Sequence, residues 1–180
     1  MESKVWSVFV LITLMLSISA GPGMAAEMFS STWWKIAFNS PVPFSPPQEI
    51  GMDAVALLYP AQSNLGQAQL EISLIALPKE MQESFANNDA EIVNYVKGTF
   101  LASTTASEKT AVRTFLGKKV VGEIQATSIP KSSTLEVYLI PLADGDKIAV
   151  AFARDASMAN DEAEKIIEMV ASSFKEVPSR

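Results

Sequence analysis

The alternation of apolar and polar side chains near the end of the chain limits its fold more than any other feature. It runs from residue 135 to 142 and resumes from 148 to 153. A two-residue period is typical of half-buried β-strands. Asp144-Gly145 stands between the two segments, and this pair indicates a tight hairpin because both residue types tolerate positive φ. The sequence therefore predicts two neighbouring antiparallel strands here.

Five further segments carry apolar patterns typical of strands. In the clearest one Leu70, Ile72 and Leu74 alternate with polar residues, which predicts one buried and one partly wet face. The Pro-rich segment 40–47 cannot supply a regular series of N–H donors, so it is predicted as an extended surface connection. The five predicted strands are 33–38, 54–59, 67–77, 111–116 and 120–127.

Helical spacing of apolar residues predicts helices in three places. The first helix begins near Lys79 and is interrupted at Asn87. Asn88 is expected to cap a second helix, with Glu91 reaching back as in a capping box, and Asn160 to cap a third. The buried sides of the second and third helices are predicted to be Ile92, Val93, Val96 and Phe100, and Ala163, Ile166, Ile167, Val170 and Phe174. Residues 102–110 are rich in Ser, Thr and Ala and are predicted as a loop.

The order of these elements predicts an α+β fold. Consecutive strands joined by short turns imply an antiparallel sheet. The helices do not alternate with single strands, which excludes a βαβ repeat. We predict an antiparallel sheet of about six or seven strands flanked by helices. The length of 180 residues is within the range of one domain, so residues 27–180 are predicted as a single domain.

Residues 1–26 have the pattern of a signal peptide. Lys4 precedes an uncharged stretch whose apolar core lies at 8–16, Gly21-Pro22-Gly23 breaks any helix, and Ala26 supplies a small residue for cleavage. An uncleaved membrane anchor is the alternative, but the apolar core is short for a span of about 20 residues. We therefore predict an exported protein with no membrane insertion after cleavage.

Composition excludes several classes of function. The net charge of −6 and the absence of a Lys/Arg cluster argue against nucleic-acid binding. The chain has no cysteine and no histidine, which excludes disulfides, a lipid anchor on cysteine and catalysis by a Ser-His-Asp or Cys-His arrangement. No cofactor-binding or metal-binding motif is present, and neither a cofactor nor a metal is predicted.

Three weaker patterns are interpreted as structural rather than catalytic. Ser128 and Lys131 match a Ser-x-x-Lys spacing, but Pro130 places the serine in a turn rather than at a helix start. Asp144 and Asp146 are interpreted as a solvated hairpin turn rather than a calcium site, because no further acids follow at the spacing of loop ligands. A third group of acids is interpreted as a helix start with a solvated face: Asp161, Glu162, Glu164 and Glu168.

The pattern of elements resembles the PsbP-like superfamily, named after an extrinsic subunit of photosystem II. The resemblance covers about 33–174 and rests on residues 116–119 (Leu-Gly-Lys-Lys), the Tyr138 strand, the Asp144-Gly145 hairpin, a strand ending near Arg154, and a final helix that closes in Ser-Ser-Phe at 172–174. It implies an antiparallel sheet flanked by helices, and it implies an accessory or binding role with differing partners. The metal-associated histidines of photosynthetic members have no counterpart here, so no functional residue is transferred.

Trp33-Trp34 is the main candidate for contact with a partner. If the pair lies on a strand, the two rings point to opposite faces, so that one enters the core and the other meets solvent or a partner. Packing within the core and at its edge is the alternative for both rings. Phe38 and Phe44 are expected to extend the contact surface together with the Pro-rich loop.

The sequence therefore predicts a non-catalytic binding or accessory protein of an extracytoplasmic compartment, the bacterial periplasm or else the secreted fraction. Its partner would be a protein or a small apolar ligand, and the oligomeric state is left open. Two alternatives remain: a hydrolase that uses carboxylates on an envelope substrate, and a structural protein tethered by its retained leader. A location in the thylakoid lumen would call for an Arg- and Ser-rich transit segment, which the short leader lacks.

Overall fold

The computed structural model describes residues 27–51, 53–100, 109–127 and 133–178. The predicted leader, the Ser128 and Lys131 pair and most of the predicted loop at 102–110 lie outside the described residues. The ten strands are β1 (Glu27–Ser31), β2 (Ile36–Ser40), β3 (Gln48–Gly51), β4 (Ala54–Tyr59), β5 (Leu70–Leu77), β6 (Lys109–Phe115), β7 (Lys118–Thr127), β8 (Ser133–Pro141), β9 (Lys147–Asp155) and β10 (Lys175–Glu176). The three helices are α1 (Lys79–Ser84), α2 (Asp89–Phe100) and α3 (Asn160–Ser172).

Seven strands form one antiparallel sheet in the order β3-β4-β5-β9-β8-β7-β6. A second antiparallel sheet of three strands has the order β1-β2-β10. The α+β class and the large antiparallel sheet flanked by helices are therefore confirmed. The second sheet was not expected, since β1 and β10 are short and carry little periodicity.

The large sheet is covered on both faces. On one face, Ile72 and Phe152 of the sheet pack with Phe38 of the small sheet and Ile166 of α3 in the larger apolar core. On the other face α1 and α2 cover a second core that includes Val137. Both faces of the central strands are thus removed from water, which explains why β9 is buried at five consecutive positions.

The predicted helices differ from the observed ones mainly at their starts. The Asn88 cap of α2 is confirmed, because its Oδ1 accepts a hydrogen bond of 3.1 Å from the Ala90 N–H. Glu91 contacts the side-chain amide of Asn88 at 3.1 Å instead of its backbone, because that N–H already donates to the Phe85 carbonyl. The Asn160 cap is wrong, since Ala159 occupies the cap position without a side-chain bond. Asn160 instead accepts a hydrogen bond from Arg154.

The predicted first strand at 33–38 is also misplaced. The chain turns at 32–35 between β1 and β2, and Lys35 has φ of 55°, a left-handed conformation that a strand does not contain. Trp33 and Trp34 favoured a strand through their aromatic β propensity. Because they lie in a turn, strand alternation does not determine which way their rings face. Likewise β6 begins at Lys109, inside the segment predicted as a loop.

Candidate binding surface

The turn that carries Trp33 and Trp34 is fastened to the hairpin between β8 and β9. Lys35 Nζ lies 2.5 Å from Asp144 Oδ2 and 2.6 Å from Asp146 Oδ2. Gly145 between these two acids has φ of 91°, which permits the tight turn that presents both carboxylates to one lysine. We call Lys35, Asp144 and Asp146 the lysine clamp.

The charges of the lysine clamp support each other. Hydrogen bonds to Asp144 and then Asp146 raise the pKa of Lys35. The hydrogen bond from Lys35, together with the backbone N–H of Asp146, lowers the pKa of Asp144. Both shifts favour the ionised forms of Lys35 and Asp144. The predicted solvated hairpin turn is therefore an ion-paired one.

Two further hydrogen bonds connect the lysine clamp to other parts of the fold. Asp146 Oδ1 accepts a hydrogen bond of 3.3 Å from the Lys79 N–H at the start of α1. The carbonyl of Lys35 accepts one of 2.8 Å from the N–H of Val177, which follows β10. Elements distant in sequence thus hold the end of the β1–β2 turn at Lys35.

The two tryptophans have different surroundings within the turn. Trp33 is 66% exposed. Trp34 is half-buried, and its indole N–H donates to the carbonyl of Asp53 at 3.3 Å. Asp53 has φ of 57°, a conformation that costs free energy in a residue other than glycine and that recurs at functional sites. Trp34 therefore anchors the turn, and Trp33 is the ring available to a partner.

An apolar groove opens on one side of the tryptophans. It has a volume of about 450 Å³, which is within the range of small-molecule and side-chain binding sites. We call it the Trp groove. Its lining is mainly apolar and includes Trp33, Trp34, Ala76, Leu77, Pro78, Leu142 and Ile148.

A second, more polar groove of about 620 Å³ adjoins the first. It is lined by Trp33, Trp34, Glu49, Gly51, Asp53 and Ala54, and we call it the acidic groove. The two grooves share Trp33, Trp34 and Asp53. A partner that contacts the exposed Trp33 ring can therefore enter both.

Phe38 and Phe44 lie apart from this surface. Both are buried, at 2% and 6% exposure, and their rings pack against Phe29, Phe174 and Tyr59. They line a smaller groove of about 180 Å³ together with the exposed Met28. The structure therefore brings Trp33 and Trp34 together, whereas it assigns Phe38 and Phe44 to the core and to the wall of a different groove.

Sequence reasoning missed Lys35, Glu49 and Asp53. None of them belongs to a recognisable motif. Asp53 meets Trp34 through a hydrogen bond that spans 19 residues, and Lys35 meets Asp144 and Asp146 across more than 100 residues. The only local signal was Asp144-Gly145, which indicated the turn correctly but not its lysine partner.

Carboxylates also converge around a buried arginine. Arg113 of β6 makes hydrogen bonds to Glu136 of β8 at 3.0–3.2 Å and to Glu164 of α3 at 2.8–2.9 Å. Glu168 Oε2 lies 3.5 Å from Arg113 Nη1. Burial lowers the pKa of Arg113 by itself, but the bonds to Glu164 and Glu136 outweigh it and raise the pKa overall.

These acids do not form a catalytic pair. Glu136 is 5% exposed, and its oxygens are occupied by Arg113 and by the Tyr138 hydroxyl at 2.7 Å. Both oxygens of Glu136 are thus engaged in contacts that join strands of the sheet. The prediction of a solvated helix start on α3 is confirmed, because all four of its acids are exposed. Three of them also have partners: Glu164 and Glu168 lie beside Arg113, and Glu162 accepts a hydrogen bond of 3.3 Å from Tyr59.

Within the described ranges, no three acidic side chains lie close enough together to hold a metal ion. Across that same part of the chain, no helix combines the length and the apolar character that a membrane crossing requires.

Comparison with solved structures identifies the fold. Over 87% of this chain and 98% of the other, the protein is similar to the Ran-binding protein Mog1p of Saccharomyces cerevisiae, with a TM-score of 0.52 and 11% identity. It is similar over 89% of this chain and 98% of the other to cyanobacterial PsbP (CyanoP) of Synechocystis sp., with a TM-score of 0.54 and 15% identity. No protein-family model matches the sequence, and no curated protein matches it. The chain thus has a PsbP-like fold, as the pattern of elements predicted.

Proposed function

We propose that this protein is a non-catalytic binding or accessory protein that works outside the cytoplasm and recognises a protein partner through Trp33 and the Trp groove. The observation that carries the proposal is an exposed indole beside a preformed apolar groove. Tryptophan is enriched among residues that dominate binding energy, because it removes a large apolar area from water at small entropic cost. An exposed ring continuous with a concave apolar surface is the kind of apolar patch that marks an interaction site.

The rigidity of the surface supports the same proposal. The lysine clamp, the bond from Trp34 to Asp53 and the bond from Val177 to Lys35 hold the turn before binding. A surface already in its bound shape loses less conformational entropy on association. One solved protein of this fold is named for binding another protein, Ran, so the fold is compatible with protein recognition.

Export rests on the leader sequence. The short apolar core, the helix-breaking Gly-Pro-Gly and the small residues before residue 27 favour cleavage and release. The periplasm is the proposed compartment, and the secreted fraction is the alternative. Sequencing the amino terminus of the protein isolated from its source cells tests this directly. A start at or next to Glu27 supports release, and a blocked or intact Met1 supports the tethered alternative.

The proposed binding role is tested by capture from cells. The full chain, tagged after Arg180 and produced in its source cells, is crosslinked and purified, and captured proteins are quantified by mass spectrometry. We expect Trp33→Ala to lower recovery of a specific partner at least tenfold, because the exposed ring is the centre of the contact.

Tyr95→Ala is the matched control, because Tyr95 is also an exposed aromatic residue, at 50%, but lies on α2. It should change recovery less than twofold. Equal recovery with Trp33→Ala and the original chain would contradict the proposed surface. Circular dichroism of each variant establishes that the fold is retained, which is expected because Trp33 is mostly exposed.

A further inference from the structure

The acidic groove contains two carboxylates without a counter-charge. Glu49 and Asp53 are exposed, and among the described residues neither side chain makes an ion pair or a side-chain hydrogen bond. Other acids of this region are neutralised by lysines: Asp144 and Asp146 form ion pairs with Lys35, and Asp89 forms one of 2.6 Å with Lys147. The charges of Glu49 and Asp53 are therefore available to a group that comes from outside.

The exposed ring of Trp33 forms the wall that this groove shares with the Trp groove. Tryptophan is the aromatic side chain that attracts a cation over its face most strongly, through the negative potential of its π-system. A lysine or arginine side chain in the acidic groove would gain this attraction together with the attraction of two carboxylates. An uncharged polar side chain would gain neither.

The two basic residues that line the Trp groove do not oppose such a ligand. Lys35 is neutralised by its two acids, and Lys147, on the rim of the Trp groove, is paired with Asp89. The whole chain has a net charge of −6, so the long-range field also attracts a cationic partner.

We infer that the partner presents a segment in which a lysine or arginine lies next to an aliphatic or aromatic residue. The cationic group binds in the acidic groove between Trp33, Glu49 and Asp53, and the apolar neighbour enters the Trp groove. This inference rests on the proposed function, because it names the chemistry of the partner at the same surface.

Three synthetic ten-residue peptides with blocked ends serve as probes. The first contains Leu-Arg pairs in a Gly/Ser background, the second has citrulline in place of each Arg, and the third has Ser in place of each Leu. Binding to the protein purified from its source cells is followed by indole fluorescence and by calorimetry. We expect the Leu-Arg peptide to bind at least tenfold more tightly than either comparison peptide, and its affinity to fall as salt rises from 50 to 500 mM, an ionic-strength range in which exposed charges become screened.

Substitutions in the protein distinguish the contribution of the acidic groove to peptide binding from that of Trp33. Glu49→Gln with Asp53→Asn removes both charges while keeping shape, and Asn tolerates the left-handed backbone at position 53. This double variant should lose the preference for Arg over citrulline. Trp33→Ala should weaken binding of every peptide. Glu83→Gln with Asp161→Asn removes the same charge from exposed positions outside both grooves and should bind like the original chain.

Each contrary result has one meaning. If the original chain binds the Arg and citrulline peptides equally while Trp33→Ala weakens both, the inference about charge is wrong and the proposed surface remains. If Trp33→Ala binds all peptides like the original chain, the surface itself is wrong. If submillimolar calcium chloride displaces the Leu-Arg peptide from the original chain, the acidic groove is a metal site, and the inference is overturned.

Discussion

Close packing between Gly122 of β7 and the ring of Tyr138 on β8 shows how one absent side chain shapes the core. A Cβ atom at position 122 would lie 2.4 Å from ring carbons of Tyr138 and 2.7 Å from the carbonyl oxygen of Val137. Tyr138 is fully buried, and its hydroxyl is fixed by Glu136, so the ring has little freedom to retreat. Glycine is needed here for space.

Gly122→Ala is therefore expected to destabilise the fold by about 1–3 kcal/mol, the usual cost of forcing an extra carbon into a packed core. Urea unfolding followed by circular dichroism measures the change. Gly98→Ala in α2 is the matched control, because nothing lies within 4 Å of its Cβ position. The control should stabilise the protein by about 0.5–1 kcal/mol, since alanine favours a helix over glycine. Equal effects of the two substitutions would contradict this explanation.

At the scale of elements, Arg113 joins β6 at the sheet edge to β8 and to α3. Its side chain is 8% exposed, and its guanidinium is shared between the buried Glu136 and the more exposed Glu164. A buried charge pair adds little net stability, because desolvation offsets the attraction, but removing one partner leaves the other charge buried alone. The network therefore fixes how α3 and the edge strand sit on the sheet.

Arg113→Met is expected to lower the free energy of unfolding by about 3–5 kcal/mol, because Glu136 would keep a buried charge without its partner. Adding Glu136→Gln should recover most of the loss, since it removes that charge. Glu164→Gln serves as the control and should cost less than about 1 kcal/mol, because Glu164 is largely solvated. Chemical denaturation of the four proteins measures these differences. Failure of the second substitution to restore stability would show that lost packing, and not charge, explains the effect.

The elements also show what local sequence could predict. The sequence predicted most of the longer elements closely, namely β4, β5, β8, β9 and the apolar sides of α2 and α3. Each of these segments carries enough periodic apolar residues to indicate its structure without information about the strands beside it. The strands β1, β3 and β10 have two to five residues and are strands only because a partner lies beside them. Long-range pairing, not propensity, decides such segments.

The same distinction applies to the candidate surface. Trp33 was identified by its residue type, but its turn depends on left-handed backbone at Lys35, which ordinary propensities disfavour. The pairing of Lys35 with Asp144 crosses more than a hundred residues, so no sequence window contains it. Phe38 and Phe44 were grouped with the tryptophans because they are near in sequence, whereas β2 carries Phe38 into the core.

For the whole molecule, the buried tyrosine makes stability depend on pH in the alkaline range. Burial, followed by the nearby Glu136 charge, raises the pKa of Tyr138 above its ordinary value of 10.0. The folded protein therefore holds a proton that the unfolded chain releases above that pH. This contribution is fully present below pH 10 and is lost as pH rises from there toward the folded pKa.

We expect the free energy of unfolding to fall above pH 10 with a slope of up to about 1.4 kcal/mol per pH unit from this group. Burial and Glu162 also raise the pKa of Tyr59, so part of the slope remains in a Tyr138→Phe variant. That variant should have a measurably flatter profile when urea unfolding is repeated between pH 8 and 11. Identical slopes in both proteins would contradict the assignment to Tyr138.

The small sheet joins the two ends of the described chain, since β2 pairs with both β1 and β10. The Trp33 turn gains its bond from Val177 only after β10 is in place. During synthesis the carboxyl end is the last segment of the chain to be made, so the Trp33 turn can gain this bond only after the rest of the described chain exists. A chain cut short before residue 175 would lack this bond, so the shape of the first turn depends on the last residues of the described chain.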